Sequence, residues 1–259
     1  MPLPFASTIR QPAEADDEET RGGGDFCFEY YLLLSNNMKL QVLYEDNHLI
    51  AVFKPAGVLT QGDKSGDVNL LDEVKKYLKE KYKKPGNVFL GLLHRLDRNV
   101  SGIVLFAKTS KGASRLSEQF RERSVEKIYH AIVLGRPKQK KANLINYLNK
   151  DESKNKVAIS REKKSGFELV ELSFETISSN NKYSLLKIKL ETGKPHQIRA
   201  QLSFLGFPIL GDKKYGAPFA LPDNQLGLCA TSIVFKSVVG NERKSISIPF
   251  PKEWKEYLN

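Results

Sequence analysis

From Gln41 onward the chain alternates short apolar runs with turn residues. Residues 41–44 and 49–53 flank the polar turn Glu45-Asp46-Asn47-His48 and predict two paired strands. Lys54-Pro55-Ala56-Gly57 breaks the second strand. Over 70–82, Leu70, Leu71, Val74, Tyr77, Leu78 and Tyr82 recur at helical spacing, with Asn69 as cap and Pro85-Gly86 as stop. Residues 103–107 are apolar throughout and follow Ser101-Gly102, which predicts a strand buried on both faces. A helix over 110–123 has Ala113, Leu116 and Phe120 as its stripe, and 127–134 reads as a strand ended by Gly135. Residues 138–141 read as a basic loop. Residues 167–176 and 183–190 predict a meander; Leu186, Ile188 and Leu190 alternate with Lys187 and Lys189, so one face is buried and the other basic. A helix is expected from Pro195 or His196 to Gly206, with Ile198, Leu202 and Leu205 on the core side and Arg199 and Ser203 elsewhere. A strand over 229–235 and an amphipathic turn with Trp254 and Tyr257 complete an α+β pattern with a mostly antiparallel mixed sheet.

Charge sharpens this picture. Residues 1–37 hold two arginines and seven acids, while the whole chain of 259 residues carries a net +11, so the remainder carries +16. Prolines, the acidic run and Gly22-Gly23-Gly24 mark 1–37 as an acidic extension, expected to be disordered or not native, with Met38 as an alternative start. The alternative is a small genuine extension that packs Phe26, Phe28, Tyr30 and Tyr31 on the core. Residues 38–259 then form one domain. Its basic field favours a polyanion, nucleic acid first and an anionic membrane surface second. The sequence has no run of 18 apolar residues and no signal-peptide pattern. Cys27 and Cys229 are too few for a disulfide scaffold or a four-cysteine zinc site, so a reducing cytoplasm is the expected location. His48, His94, His130 and His196 are dispersed, so no metal is expected; neither a P-loop nor GxGxxG occurs, so no nucleotide or redox cofactor is expected.

The stretch His94-Arg95-Leu96-Asp97-Arg98-Asn99-Val100-Ser101-Gly102 concentrates the candidate chemistry. A carboxylate in a loop anchored to buried strands is partly desolvated, and a close guanidinium favours its ionised form. Such a group serves as nucleophile or charge stabiliser without a metal. No second carboxylate stands beside Asp97, which weakens a paired-acid hydrolase. Locally, an ion pair that only pins the loop is the better account of Arg95, Asp97 and Arg98.

This stretch resembles the HRLDR-x-x-SG signature of the RluA-type pseudouridine synthases. Four further motifs are similar to that family's, in order: 44–57, closing on Lys54-Pro55-Ala56-Gly57; Lys127-Ile128-Tyr129-His130-Ala131; Gly193-Lys194-Pro195-His196-Gln197-Ile198-Arg199; and Pro208-Ile209-Leu210-Gly211-Asp212 with Lys214-Tyr215-Gly216. The resemblance implies a pseudouridine synthase fold with its active-site cleft across the sheet, and isomerisation of uridine in structured ribosomal or transfer RNA without cofactor or metal. It implies Asp97 as the catalytic aspartate, Tyr129 packing on the target base and Arg199 pairing with Asp97. Arg95 would help extrude the nucleotide from its stack, which chemistry on a base requires. His94, Arg98, Lys54, Lys194, His196 and Gln197 are the further expected RNA contacts. Val100 stands where threonine is usual, and Ala200-Gln201 departs from the usual pair after HQIR. Residues 1–37 are too short and acidic for an S4-type RNA-binding module. A monomer without membrane attachment is expected; the alternative is a non-catalytic RNA-binding or ribosome-assembly protein that keeps the fold.

Overall fold

The computed structural model describes residues 40–151 and 155–259, so the expected acidic extension, 1–37, lies outside the described residues. β1 (Gln41–Glu45) and β2 (Leu49–Lys54) form a hairpin around Asp46, whose carboxylate accepts the amide N–H groups of His48 and Leu49 at 2.7 and 2.6 Å. α1 (Leu70–Lys81) starts where the Asn69 side chain accepts the Asp72 amide at 3.1 Å, and buries Leu70, Val74 and Leu78. β3 (Gly91–Leu92) and β4 (Ser101–Ala107) bracket the loop that carries Asp97. α2 (Ser110–Arg121) is capped by Thr109, which accepts the Gly112 amide at 3.1 Å. There follow β5 (Glu126–Leu134), β6 (Lys141–Asp151), β7 (Lys156–Ser160), β8 (Glu168–Ser179), β9 (Tyr183–Leu190), α3 (Gln197–Phe204), β10 (Leu228–Lys236) and β11 (Arg243–Ser247). A closing 3-10 segment, Lys252–Tyr257, buries Trp254.

The strands join in one sheet in the order β1-β2-β4-β10-β5-β9-β8-β6-β7, with β3 on β4 and β11 on β10. Among these pairings only β4 with β10 is parallel. All seven residues of β4 are buried, as its unbroken apolar run predicts. Gly102 makes the parallel contact possible: its φ is +128°, and a Cβ there would meet the Ala230 backbone at 2.4–2.7 Å. α2 seats Leu116 on Leu49, Ile103, Leu105 and Phe235. α3 seats Ala200 on Leu148, Val157 and Val170, beside Tyr215. Burial of each such leucine is worth about 1.5–3 kcal/mol.

Four strands depart from the predicted pattern. β3, β6, β7 and β11 carry too few apolar residues in alternation to announce themselves; β11, Arg-Lys-Ser-Ile-Ser, buries only Ile246. β6 begins inside the expected basic loop and is held by the pairing of Lys141 with Glu175 through Leu148 with Glu168 on β8. α3 also differs. It starts at Gln197, with His196 as a left-handed N-cap at φ +53°, so Pro195 precedes the helix rather than opening it. Leu205 is its C-cap, lies past the last helical turn and is 42% exposed, not on the core side. Arg199 is on the buried side and only 6% exposed.

Candidate active site

The loop between β3 and β4 is tied down from three directions. The Thr60 hydroxyl donates to the Leu96 carbonyl at 2.9 Å and accepts the Leu96 amide at 3.2 Å. The Arg98 carbonyl accepts the Gly57 amide at 2.8 Å and the Lys54 ammonium at 2.9 Å. The Asn99 carbonyl accepts the Leu226 amide at 3.1 Å. Leu96 and Val100 are buried on either side, so Asp97 stands on a rigid support.

Asp97 receives its partners from elements far away in sequence. Arg199 Nη1 donates to Asp97 Oδ2 at 2.9 Å. The same guanidinium grips Asp212 through Nε to Oδ2 at 2.7 Å and Nη2 to Oδ1 at 2.9 Å. Burial works against the Arg199 charge, but its hydrogen bonds to Asp212 and then the charges of Asp212 and Asp97 raise its pKa further above the usual value. His196 Nε2 lies 3.7 Å from the same Asp97 oxygen, and its Nδ1 is 2.9 Å from the Tyr215 hydroxyl. That hydroxyl already accepts the Val157 amide at 2.9 Å, so its single proton is free for Nδ1. Nε2 faces Asp97, and burial lowers the imidazole pKa against the opposing charge of Asp97. The Tyr215 ring lies 5.1 Å from the Arg199 guanidinium carbon. Asp212 and Tyr215, one at the start and one at the end of the short segment after Gly211, therefore steady both groups that face Asp97. Neither had been given a role from the sequence, although both stand in the motif around Gly211.

Both partners use Oδ2. Among the described residues Asp97 Oδ1 has no hydrogen-bond partner, and it is not a buried orphan. The Asp97 side chain is 29% exposed into a cavity of about 1350 Å³. That cavity runs from residues 57–63 and 93–100 past Tyr129 on β5 to residues 190–199, across the ends of β4, β10 and β9. Tyr129 lines it, and burial, then the charge of Asp97, raises its phenol pKa, so the neutral hydroxyl is kept. Arg95 is exposed on the cavity wall with no side-chain partner among the described residues.

Several of the residues expected to contact RNA already engage protein groups. Lys54 is 0% exposed and donates to the carbonyls of Pro55, Val58 and Arg98 at 2.9, 2.7 and 2.9 Å. Burial pushes its amine down to about 7, with Asp97 opposing; yet only an ammonium donates to three carbonyls at once. Its ammonium is a structural tie behind the Asp97 loop. Gln197 is 2% exposed; its carbonyl oxygen accepts from the Thr192 hydroxyl and the Lys194 amide, and its amide donates to the Glu171 carbonyl and Gln201. His94 stacks on Phe120, and its Nε2 accepts the Leu105 amide at 3.0 Å; burial, then the charge of Lys127, pushes its pKa down to about 4. Arg98 is held by the Gly57 carbonyl at 2.9 Å and Asp67 at 2.8 Å, and Lys194 pairs with Glu168. Among the described residues no group of three or more histidines, cysteines or carboxylates is placed to hold a metal ion, and no helix is long and apolar enough to cross a membrane.

A family model described as RNA pseudouridylate synthase matches residues 48–204. The uncharacterized RNA pseudouridine synthase YhcT of Bacillus subtilis is 31% identical over 220 residues, 84% of this chain and 70% of that protein. Ribosomal large subunit pseudouridine synthase C of Rickettsia typhi is 34% identical over 224 residues, 81% of this chain and 68% of its own. Among solved structures, human RNA pseudouridylate synthase domain containing 4 superposes with a TM-score of 0.71 over 84% of this chain and 91% of its own, at 23% identity, a likeness of fold. By its motifs, its sheet and these relatives, the chain belongs to the RNA pseudouridylate synthase family, of the RluA type.

Proposed function

We propose that this protein isomerises uridine to pseudouridine in ribosomal RNA, with Asp97 as the catalytic carboxylate. The observation that carries this reading is the one-sided pairing of Asp97: Arg199 and His196 both face Oδ2, and Oδ1 is left to the cavity. A charged oxygen held in place by a guanidinium, with its other oxygen unpartnered, suits attack on, or stabilisation of, a ribose C1′ that loses its bond to uracil N1. The freed base turns, and C1′ bonds to C5. C5 gives up its proton and N1 gains one, so atoms balance and neither oxidant nor energy source is needed. Tyr129, its hydroxyl kept neutral by burial, offers a flat wall for the turning base. Arg95 has an unengaged guanidinium with which to replace an extruded nucleotide in its stack. The relatives named ribosomal large subunit pseudouridine synthases support large-subunit RNA as substrate. A monomer is the expected working unit, and light scattering checks this.

The test incubates unmodified large-subunit RNA with wild type and with Asp97→Asn. Wild type is expected to yield pseudouridine at defined positions with RNA mass unchanged. Asp97→Asn is expected to fold and bind RNA but convert nothing. Conversion by Asp97→Asn at the wild-type rate sinks the assignment, and cut strands or free uracil from wild type would point to hydrolysis instead.

A further inference from the structure

The cations on the cavity wall divide by whether the protein already neutralises them. Arg98, Lys194 and Arg199 are paired with Asp67, with Glu168, and with Asp97 and Asp212. Arg95, Arg121, Arg123, Lys127, Lys213 and Lys214 line the same cavity with no side-chain hydrogen bond or ion pair among the described residues. Four of these are exposed, so water solvates them; Lys127 and Lys214 are half-buried, and of the two Lys127 stands on the strand that carries Tyr129. Lys127 is half-buried, and burial pushes its pKa down, with Glu191 opposing and Arg123 adding to the fall. The carboxylate that opposes, Glu191, is itself engaged by Lys189 at 2.8 Å. Lys127 thus carries a partly desolvated charge that no protein group covers.

Its placement says where that charge acts. Lys127 precedes Tyr129 by two on β5, so the two side chains share one face of the sheet, and both line the cavity. Its Nζ lies 3.6 Å from where a Cβ would stand on Gly193, and its charge reaches His94. The ammonium therefore sits between the 190–194 loop and the loop that carries Asp97, beside the wall assigned to the base. The absent side chain of Gly193 keeps the space next to it open. A half-buried cation without a partner is costly in the free protein and is relieved by an anion. The anion that an RNA strand brings to this depth is a phosphate, which a compact three-donor ammonium matches. We propose that Lys127 binds a backbone phosphate of the RNA strand next to the nucleotide held at Asp97 and Tyr129. The inference rests on the RNA reading of the cavity.

Two variants test it, Lys127→Met, which keeps the length without the charge, and Lys127→Arg. For Lys127→Met, RNA binding measured between 50 and 300 mM salt should lose about 0.7–0.9 from the slope of log K against log salt, one phosphate contact. Its kcat/KM should fall roughly tenfold, mostly through KM, as loss of one charged contact implies. Its melting temperature should hold or rise, because an unpaired buried charge is gone. Lys127→Arg should restore the slope. An unchanged slope and kcat/KM in Lys127→Met overturns the proposal, as does a fall in melting temperature that accounts for the lost activity. The slope is read by direct binding, so it judges Lys127 even if wild type converts no uridine; that failure would count against the isomerase reading alone.

Discussion

Replacing Asp212 with leucine removes both charge-assisted bonds that Arg199 makes through Nε and Nη2, at 2.7 and 2.9 Å. Arg199 is 6% exposed and Asp212 is 1% exposed, so water cannot replace the lost partner of either, although Arg199 keeps its bond to Asp97. Breaking such a buried pair from one side costs about 3–5 kcal/mol. For a domain of this size that is a melting temperature lower by about 6–20 °C. Arg199→Met should cost a similar amount, because Arg199 is the only side chain on the Asp212 carboxylate among the described residues. Were the two residues independent, the double variant would lose about 6–10 kcal/mol. Two apolar side chains of similar volume leave no fully buried charge, and Asp97, which also loses Arg199, is 29% exposed and keeps contact with water, so the double variant is expected within about 2 kcal/mol of wild type. Urea denaturation of the four proteins gives the cycle. Losses that simply add, to within about 0.5 kcal/mol, would refute the reasoning that Asp212 and Arg199 are one buried unit. Activity separates structure from chemistry: the double variant should be folded yet form no pseudouridine, because nothing then holds Asp97 Oδ2 in place.

Three other outcomes follow from single contacts. Gly102→Ala should destabilise by on the order of 3 kcal/mol or prevent folding, through a Cβ 2.4 Å from the Ala230 carbonyl and a positive φ, as circular dichroism melts would show; a wild-type melt would refute it. Lys54→Met should lose about 2–4 kcal/mol in urea denaturation and lower kcat, because the carbonyls of Pro55, Val58 and Arg98 lose their donor and the Asp97 loop loosens. His94 has its folded pKa pushed down to about 4, below the unfolded value of about 6.5, so the unfolded chain takes up the proton first. Its contribution is present above pH about 6.5 and is lost as pH falls towards about 4, about 3 kcal/mol in all. Protonation also removes the Nε2 acceptor of the Leu105 amide. His94→Gln should flatten that window in pH-dependent denaturation, and an unchanged pH profile would count against the assignment.

The local pattern was enough for β1, β2, β4, α1 and α2, because each has a full apolar stripe or run with its own cap or turn. It was not enough for β6, β7 and β11, whose identity depends on a neighbouring strand that supplies the hydrogen bonds. The same division runs through the site. The loop sequence marked Asp97 as worth attention but favoured a structural ion pair with Arg95 or Arg98. The fold decides: the closest cation is Arg199, 102 residues away, and Arg98 turns to Asp67 and Gly57. The motif resemblance named Arg199, but Asp212 and Tyr215 gain their meaning only from the contacts they make behind it. Lys54, His94 and Gln197 show the opposite case. As residue types in basic or polar motifs they suit RNA, yet the structure turns their polar atoms inward, onto backbone groups that would otherwise be buried unsatisfied. A side chain's chemistry is written in the residue, but whether it meets solvent, a carbonyl or another charge is set by what the rest of the chain places next to it.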